Sequence, residues 1–371
     1  MNRVTSLYLD LIRVSAALVV VLTHLAYTRF SGGQLLAWRS LGNDAVMVFF
    51  VLSGYVIAWS AAERELTLGH YALNRAARLY SVALPAVALT VLLDAIGRHW
   101  SPALYHGFQY QGGEPALRLL HALTFTHELW FQSWRVFSNG PYWSLGYECG
   151  YYLLFACAWY LRGVWRGISV LAGAALLGPK ILLLLPVWAL GVVVYRINSR
   201  HVPGVVTGFV LWAASLLAYA AFRIDGGPQA LLAFSHAEWG RHFVEHSLHW
   251  SNEFLASYVI GVLVAMNFVG LNACAPLLTK QVTHFERPIR AGAACTFSIY
   301  LFHYPLLQCL AASGAFAPRS PLAVALLGLV TVALCCALAT VTEKRKPWLR
   351  AVLLSGTRRL RQRLPRAGLS W

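Results

Sequence analysis

The sequence predicts an all-α polytopic membrane protein, a bundle of about ten transmembrane helices with both termini in the cytoplasm. Of its 371 residues, 58% are hydrophobic and only 12% are charged, whereas a soluble protein carries about a quarter charged residues. The apolar residues form runs close to the roughly 20 residues that a helix needs to cross the hydrocarbon core. The basic residues are unevenly divided between the loops that separate these runs. This composition excludes an ordinary soluble enzyme, a disordered chain and a collagen-like fibre.

Ten apolar runs are predicted to span the membrane. They are Leu7–Tyr27, Asp44–Ala61, Ser81–Gly97, Tyr142–Leu161, Val164–Gly178, Ile181–Tyr195, Gly204–Phe222, Asn252–Leu271, Ala293–Ser313 and Pro321–Thr342. The first run is longer than the apolar core of a signal peptide and holds Asp10 and Arg13 in its body, which argues against cleavage. Only Pro179 and Lys180 join the fifth and sixth runs, so the sequence does not decide whether these are two spans.

The basic residues predict the orientation. With ten spans, 20 of the 30 Lys and Arg residues fall on the side of the termini and nine on the other side. Because positive residues favour the cytoplasmic side, the net charge of +16 reports topology rather than a nucleic-acid partner. The chain divides into a transmembrane domain over 1–343 and a basic cytoplasmic tail over 344–371. We expect this tail to lie on the anionic lipids of the inner leaflet.

Arg13 and His24 are the first candidates for function, because ionisable residues are costly at membrane depth. They lie eleven residues apart in the first span, which is about 20° from a whole number of turns and about 16 Å along the axis. One helix face thus carries a cation toward the inside and an imidazole toward the outside. Asp10, one turn below Arg13, could pair with it. The structural alternative is a capped histidine and an arginine that extends to the membrane surface.

Glu148 and Asp44 are candidate partners of His24. Glu148 lies about 9 Å below the outer end of its span, at a depth similar to that of His24, so the two could form a pair of catalytic base and orienting acid. Asp44 precedes the apolar run of the second span. The alternatives are a Glu148 carboxylate that is satisfied by Trp143 or a tyrosine hydroxyl, and an Asp44 side chain that caps its helix.

His303 lies in mid-span, two residues before Pro305, which removes a backbone donor and frees a carbonyl group. A structural and a catalytic histidine fit this position equally well. Ser53 and Gly54, in the second span, predict a close approach of two helices.

Arg75 and Arg78 follow a spacing of three residues near the cytoplasmic end of the third span. Two guanidinium groups on one helix face suit a ligand that carries phosphate. Anchoring to lipid headgroups is the alternative.

His242, Glu245 and His246 match the H-x-x-E-H pattern of some zinc enzymes, in which both histidines bind the metal and the glutamate is the base. The pattern is short and the sequence shows no third ligand, so we predict no metal site. An amphipathic segment at the outer surface, with Trp239 and Trp250 at the interface, explains these residues better.

Together these motifs resemble the acyltransferase-3 family of bacterial integral-membrane acyltransferases. Six segments match, in the order of the family. They are Arg13 to His24, Asp44 to Gly54 (which includes Ser53), Arg75 to Tyr80 (which includes Arg78), Trp143 to Glu148 (which includes Ser144), Tyr300 to Pro305 (which includes His303) and Glu343 to Pro347. Each motif alone is weak, but six in the right order across nearly the whole chain are specific.

The resemblance implies transfer of an acyl group, acetyl foremost, from acyl-coenzyme A to a hydroxyl of a carbohydrate, such as a cell-surface polysaccharide or a lipid-linked glycan. It implies a protein of the bacterial inner membrane with no permanently bound cofactor and no metal. His24 would be the catalytic histidine and Arg13 its essential partner, and Arg13, Arg75 and Arg78 would meet the donor. The motifs add further candidate residues: Asp10, Ser53, Tyr80, Trp143, Ser144 and His303.

The chain departs from the family in two respects. Many members have Glu-Glu-Gln where this chain has Glu148-Cys149-Gly150, so a role for a second acid is absent. Some members add an extracytoplasmic SGNH hydrolase-like domain, whereas we expect this membrane domain to present the acyl group itself. The alternative function is a multi-pass transporter or flippase of a glycan or acyl substrate, although the halves show no repeat. The acceptor, the acyl chain and the oligomeric state are left open.

Overall fold

The computed structural model describes residues 2–106, 114–277 and 284–363, with the side chains of the last helix described as far as Ser355. Lys280 and residues 364–371, which contributed to the predicted charge balance, lie outside the described residues. Within these ranges the α-helices of eight or more residues are α1 (Arg3–Leu25), α2 (Gly42–Glu63), α3 (Leu68–Trp100), α4 (Pro115–Thr124), α5 (Trp143–Tyr160), α6 (Gly163–Leu177), α7 (Pro179–Arg200), α8 (Val205–Ile224), α9 (Gly227–Trp239), α10 (Phe254–Cys274), α11 (Glu286–Ala293), α12 (Thr296–Ala312), α13 (Pro321–Val341) and α14 (Lys346–Arg363).

Each of the ten predicted spans coincides with one of these helices. Seven helical segments in the described part of the chain are long and apolar enough to cross a bilayer. The predicted spans in α5, α6 and α12 are shorter, with 18, 15 and 17 residues. The chain is therefore an all-helical, multi-pass membrane protein, while the number of ten crossings and the cytoplasmic termini stay predictions.

The fifth and sixth predicted spans form two separate helices, α6 and α7. The break is at Gly178, which has a φ of +82° in the region that favours glycine. A side chain there would also collide with the backbone of Trp130. The sequence could not decide this division, because it depends on a residue from a distant loop.

The close helix approach predicted at Ser53 and Gly54 is confirmed. Helix α2 packs against α7, α1 and α10. A Cβ atom on Gly54 would overlap the carbonyl group of Trp188, and one on Gly191 would overlap that of Val51. Small residues allow backbones to touch in a membrane, where helix association depends on packing rather than on the hydrophobic effect.

The segment between α4 and α5 enters the bundle and supports α12 near His303. Pro305 leaves the carbonyl group of Leu301 without its helical donor. The buried amide of Asn139 donates to that carbonyl over 2.9 Å and to the Thr90 hydroxyl over 3.3 Å. The freed carbonyl expected from the proline is thus satisfied by a loop, and the loop ties α12 to α3.

A buried ion pair fastens the same segment to α7. The Lys180 Nζ donates to Glu128 over 2.5 Å and to the carbonyl of Gln132 over 2.6 Å. Ser133 donates to the other carboxylate oxygen of Glu128 over 2.7 Å. Both charged side chains are fully buried, and such a pair is tolerated only when its remaining polar atoms are hydrogen-bonded.

Candidate active site

A cavity of about 440 Å³ lies between α1, α2, α3, α5, α12 and the C-terminal helix α14. Arg64 and Pro347 are exposed at one end of it. Ser144 and Tyr300 line it at the other end, inside the bundle. The cavity therefore leads from the helix ends predicted to be cytoplasmic into the membrane domain.

The lining of the cavity is strongly basic. Six cationic side chains contribute to it: Arg13, Arg64, Arg75, Arg78, Lys346 and Arg350. Two carboxylates, Glu65 and Glu148, face them. Because like charges in a partly enclosed space repel one another, this excess of cations favours an anionic ligand.

Arg75 and Arg78, which the spacing predicts on one helix face, both line the cavity. They lie within α3, which begins at Leu68 and has 33 residues. Arg75 pairs with the buried carboxylate of Glu65 over 2.7 Å. The guanidinium of Arg78 lies 5.4 Å from the ring centre of Phe297. A planar, stacked guanidinium is held in one orientation, which suits directional phosphate binding.

Arg13 also lines the cavity, within electrostatic range of Arg78 and Glu343. The predicted pair with Asp10 is present but loose, with 3.9 Å between the charged atoms. Asp10 makes its closer ion pair with Arg290, over 3.0 Å. Asp10 therefore neutralises the charge of Arg13 only in part, and Arg13 can still attract an anion in the cavity.

Glu148 faces the basic cavity, and its carboxylate is satisfied by hydroxyl groups. Ser53 donates to it over 2.9 Å, and Tyr152 donates to the same oxygen. Trp188 in turn donates to Ser53 over 3.2 Å. The alternative of a tyrosine-satisfied carboxylate therefore describes Glu148, and in the described contacts it does not orient His24.

Asp44 lies away from His24 as well. It accepts a hydrogen bond from Tyr219 over 2.7 Å and pairs with Arg223 over 3.4 Å. Although Asp44 is in the first turn of α2, no side-chain cap is made at the start of that helix. Both expectations for Asp44, an orienting acid and a helix cap, are thus corrected: it links α2 to α8.

Among the candidate residues from the sequence, His303 contacts His24. His303 Nε2 lies 3.1 Å from His24 Nδ1, and the two ring centres are 5.0 Å apart. His303 is fully buried in α12, whereas His24 in α1 is half-buried. The two motifs that the sequence left separate therefore form one site.

Two backbone carbonyls determine which nitrogens carry protons. His303 Nδ1 lies 2.9 Å from the carbonyl of Ile299, and His24 Nδ1 lies 2.9 Å from the carbonyl of Val20. A carbonyl only accepts, so each Nδ1 carries the proton. In the neutral pair, His303 Nε2 then has the lone pair, and the single Nδ1 proton of His24 is shared between His303 Nε2 and the Val20 carbonyl. The lone pair of His24 is consequently on Nε2, which has no hydrogen-bond partner among the described residues.

The ring of Tyr304 and two arginines from outside the motifs lie around the pair. The ring centre of Tyr304 lies 5.0 Å from that of His24. Arg29 donates to the Tyr304 hydroxyl, and the Arg135 guanidinium lies 5.7 Å from the Tyr304 ring centre. Both arginines are within electrostatic range of His24. Sequence reasoning missed these two arginines, because they lie between the predicted spans and belong to no motif.

Tyr300 connects the cavity to the histidine pair. Its hydroxyl makes a 2.8 Å hydrogen bond with Ser144, and both residues line the cavity. Its ring centre lies 6.4 Å from that of His303. The histidines are thus one aromatic ring beyond the inner end of the cavity.

Tyr80 and Trp143 support the helices rather than line the cavity. The Tyr80 hydroxyl donates to the carbonyl of Leu123 over 2.9 Å. Trp143 stacks on Trp250, with ring centres 5.2 Å apart, and the interfacial position of Trp250 stays a prediction.

The H-x-x-E-H segment forms no metal cluster. The rings of His242 and His246 stack, 4.7 Å apart, and Glu245 lies 3.5 Å from His236. In the part of the chain that the structure describes, no three His, Cys, Asp or Glu side chains are grouped to hold a metal ion.

A contacting pair of histidines beside a cation-lined cavity, within a helical membrane bundle, fits the class of integral-membrane enzymes. The chain belongs to the acyltransferase family whose model, Acyl_transf_3 (Acyltransferase domain), matches residues 6–340. It is similar to Acyltransferase MdmB of Streptomyces mycarofaciens, with 30% identity over 183 residues, which are 45% of this chain and 44% of that protein. The chain thus matches less than half the length of this relative. No solved structure matches it.

Proposed function

We propose that this protein is a membrane-bound O-acyltransferase that moves an acyl group, acetyl foremost, from acyl-coenzyme A to a hydroxyl of a carbohydrate acceptor. The observation that carries the proposal is the basic cavity, which points from exposed helix ends toward His24. The acceptor is a cell-surface polysaccharide or a lipid-linked glycan, and the protein acts in the bacterial inner membrane.

The donor enters the basic cavity from the cytoplasm. Coenzyme A carries several phosphate charges at one end and a long, flexible pantetheine arm that ends in the thioester. Arg75, Arg78 and Arg13 bind the phosphates, because guanidinium groups form directional, charge-assisted hydrogen bonds with them. The arm then extends past Tyr300. Arg13 and His24 are about 16 Å apart along α1, a distance that the pantetheine arm can bridge.

His24 is the general base. Its Nε2 lone pair removes the proton from the acceptor hydroxyl while the acceptor oxygen forms a bond to the thioester carbonyl carbon. The tetrahedral intermediate then breaks its carbon–sulfur bond. The sulfur leaves as the thiolate and takes the proton back from His24, so the products are the O-acyl ester and coenzyme A.

His303 and two arginines support this step. His303 Nε2 accepts from His24 Nδ1 and thereby stabilises the imidazolium that forms. Arg29 and Arg135 lie within electrostatic range of His24, where they stabilise the negative charge on the former carbonyl oxygen. Such fixed charges, directed at the developing oxyanion, are commonly a large part of enzymatic catalysis.

The experiment is acyl transfer by the purified protein in nanodiscs with radiolabelled acetyl-coenzyme A and surface glycans. We expect thioester consumption and glycan labelling that the His24→Ala variant loses. His201→Ala, at an exposed histidine, is the matched control and keeps activity. Wild-type activity in His24→Ala would refute the assignment. Movement of a ligand across liposomes without thioester consumption would favour the transporter instead.

A further inference from the structure

The C-terminal helix α14 forms part of the cavity wall. Lys346, Pro347 and Arg350, from its first two turns, line the cavity together with residues of α1, α2 and α3. The helix packs against α3. The sequence placed this segment on the lipid surface, and the structure places its first basic residues on the cavity instead.

A chain of polar contacts holds Arg350 at this position. Its Nε donates to the amide oxygen of Asn74 over 2.6 Å. Asn74 donates to Glu65 over 2.8 Å, and Glu65 also pairs with Arg75 over 2.7 Å. Arg350 is therefore anchored through one nitrogen while its side chain lines the cavity.

Lys346 adds a charge that the described residues do not neutralise by an ion pair. Its electrostatic neighbours include Arg75 and Arg78 as well as Glu65 and Glu343. Arg64, at the exposed end of the cavity, contacts the ring of Trp59 and forms no ion pair within the described chain. Cations held this close to one another lower the cost of binding a doubly charged anion.

The cations form two groups according to their neighbours. The inner group is Arg13 and Arg78, which interact electrostatically with each other and with Tyr152 and Glu343, while Arg78 also interacts with Glu148. The outer group comprises Arg64, Arg75, Lys346 and Arg350, which lie around Glu65 and Asn74. In coenzyme A the diphosphate is attached to the pantetheine arm, and the 3′-phosphate of the ribose is farther from the thioester. With the thioester directed inward, the outer group is the one that meets the 3′-phosphate.

We propose that α14 is a donor-binding element, in which Lys346 and Arg350, with Arg64 and Arg75, bind the phosphate monoester on the nucleotide of the donor. This inference rests on the proposed use of acyl-coenzyme A. An anionic lipid headgroup presents the same chemistry, but Lys346 and Arg350 share their cavity with Glu148 and Ser144 of the bundle interior. The neighbouring Lys344 and Arg345 are exposed and do not line it.

The test measures binding of coenzyme A and of dephospho-coenzyme A, which lacks the 3′-phosphate, to the full chain in phosphatidylcholine nanodiscs. We expect the wild type to bind coenzyme A about tenfold more tightly than the dephospho form, since a charge-assisted hydrogen bond contributes about this factor. Lys346→Gln and Arg350→Gln each remove most of this preference and leave binding of the dephospho form unchanged, which also shows that the variants fold. Arg345→Gln is the matched control and keeps the preference.

Equal weakening of both ligands, or no change for either, in the Lys346 and Arg350 variants would overturn the inference. An effect that appears only when phosphatidylglycerol is added to the nanodiscs would overturn it too, in favour of a lipid headgroup. If these variants keep the preference for coenzyme A over dephospho-coenzyme A while acyl transfer still depends on His24, the proposed function is supported and the role of α14 is refuted. A wild type that binds neither ligand would refute both.

Discussion

Replacing His303 tests whether it holds the proton of His24 on Nδ1 and stabilises the imidazolium that forms during the reaction. In the His303→Leu variant, His24 Nδ1 keeps the Val20 carbonyl but loses the acceptor that lies 3.1 Å away. A hydrogen bond to a charged group contributes about 1.5–3 kcal/mol, and the charge on His24 appears only during the reaction. At 1.36 kcal/mol for each factor of ten in rate, kcat should fall about 10- to 150-fold.

Steady-state kinetics and coenzyme A binding distinguish a role of His303 in positioning His24 from a role in stabilising the fold. Because His303 does not line the cavity, the KM for acetyl-coenzyme A and the affinity for coenzyme A should stay near the wild-type values. His303→Gln keeps an acceptor of similar reach and should recover part of kcat. Combining His303→Leu with His24→Ala should cost little more than His24→Ala alone, since residues that act as one unit are not additive.

Two results would contradict this reasoning. One is a His303→Leu variant with wild-type kcat, because the Val20 carbonyl alone would then suffice to orient His24. The other is a parallel loss of coenzyme A binding and of thermal stability, which would assign a structural role to His303. Thermal unfolding in detergent, measured beside the kinetics, distinguishes the second result.

Three more substitutions test the cavity and the packing. Arg78→Lys keeps the charge but loses the planar guanidinium over Phe297, so steady-state kinetics should show a several-fold higher KM for the donor with a smaller change in kcat; an unchanged KM would contradict this. Lys180→Met leaves Glu128 buried without its cation, and should lower the free energy of unfolding by about 3–5 kcal/mol in denaturation experiments. Burial already raises the pKa of Glu128, and loss of the Lys180 cation raises it further. Acidification should therefore protonate the carboxyl group and restore part of the lost stability. A loss of stability that does not depend on pH would exclude the buried charge as its cause. Gly54→Ala forces a methyl group into the α7 backbone and should destabilise by about 1–3 kcal/mol, whereas Gly69→Ala, at an open position, should not.

Several parts of the fold and site were predictable because they depend on local pattern. Hydropathy is a property of each run, so all ten predicted spans correspond to helices. Helix periodicity predicted that Arg75 and Arg78 share one helix face, and both line the cavity. The missing side chain of Gly54 predicted a close helix approach, which the structure shows with α7.

Other parts were not predictable, because depth in the membrane does not specify which helices are neighbours. By depth, Glu148 was the predicted partner of His24, and the sequence did not connect His303 to His24. Helix packing turns Glu148 toward the basic cavity and Ser53, and brings His303 to His24 across 279 residues of sequence.

The sequence by itself determined the class of this protein, its apolar helices and the residues that are candidates for its chemistry. Local hydropathy and spacing suffice for these, since a lone charge among apolar residues is visible without any neighbour. Only the tertiary structure decided which candidates meet: His24 with His303, and Lys346 and Arg350 with Arg75. The physical reason is that a helix presents each side chain in one direction. The partner found there depends on how helices distant in the sequence pack together.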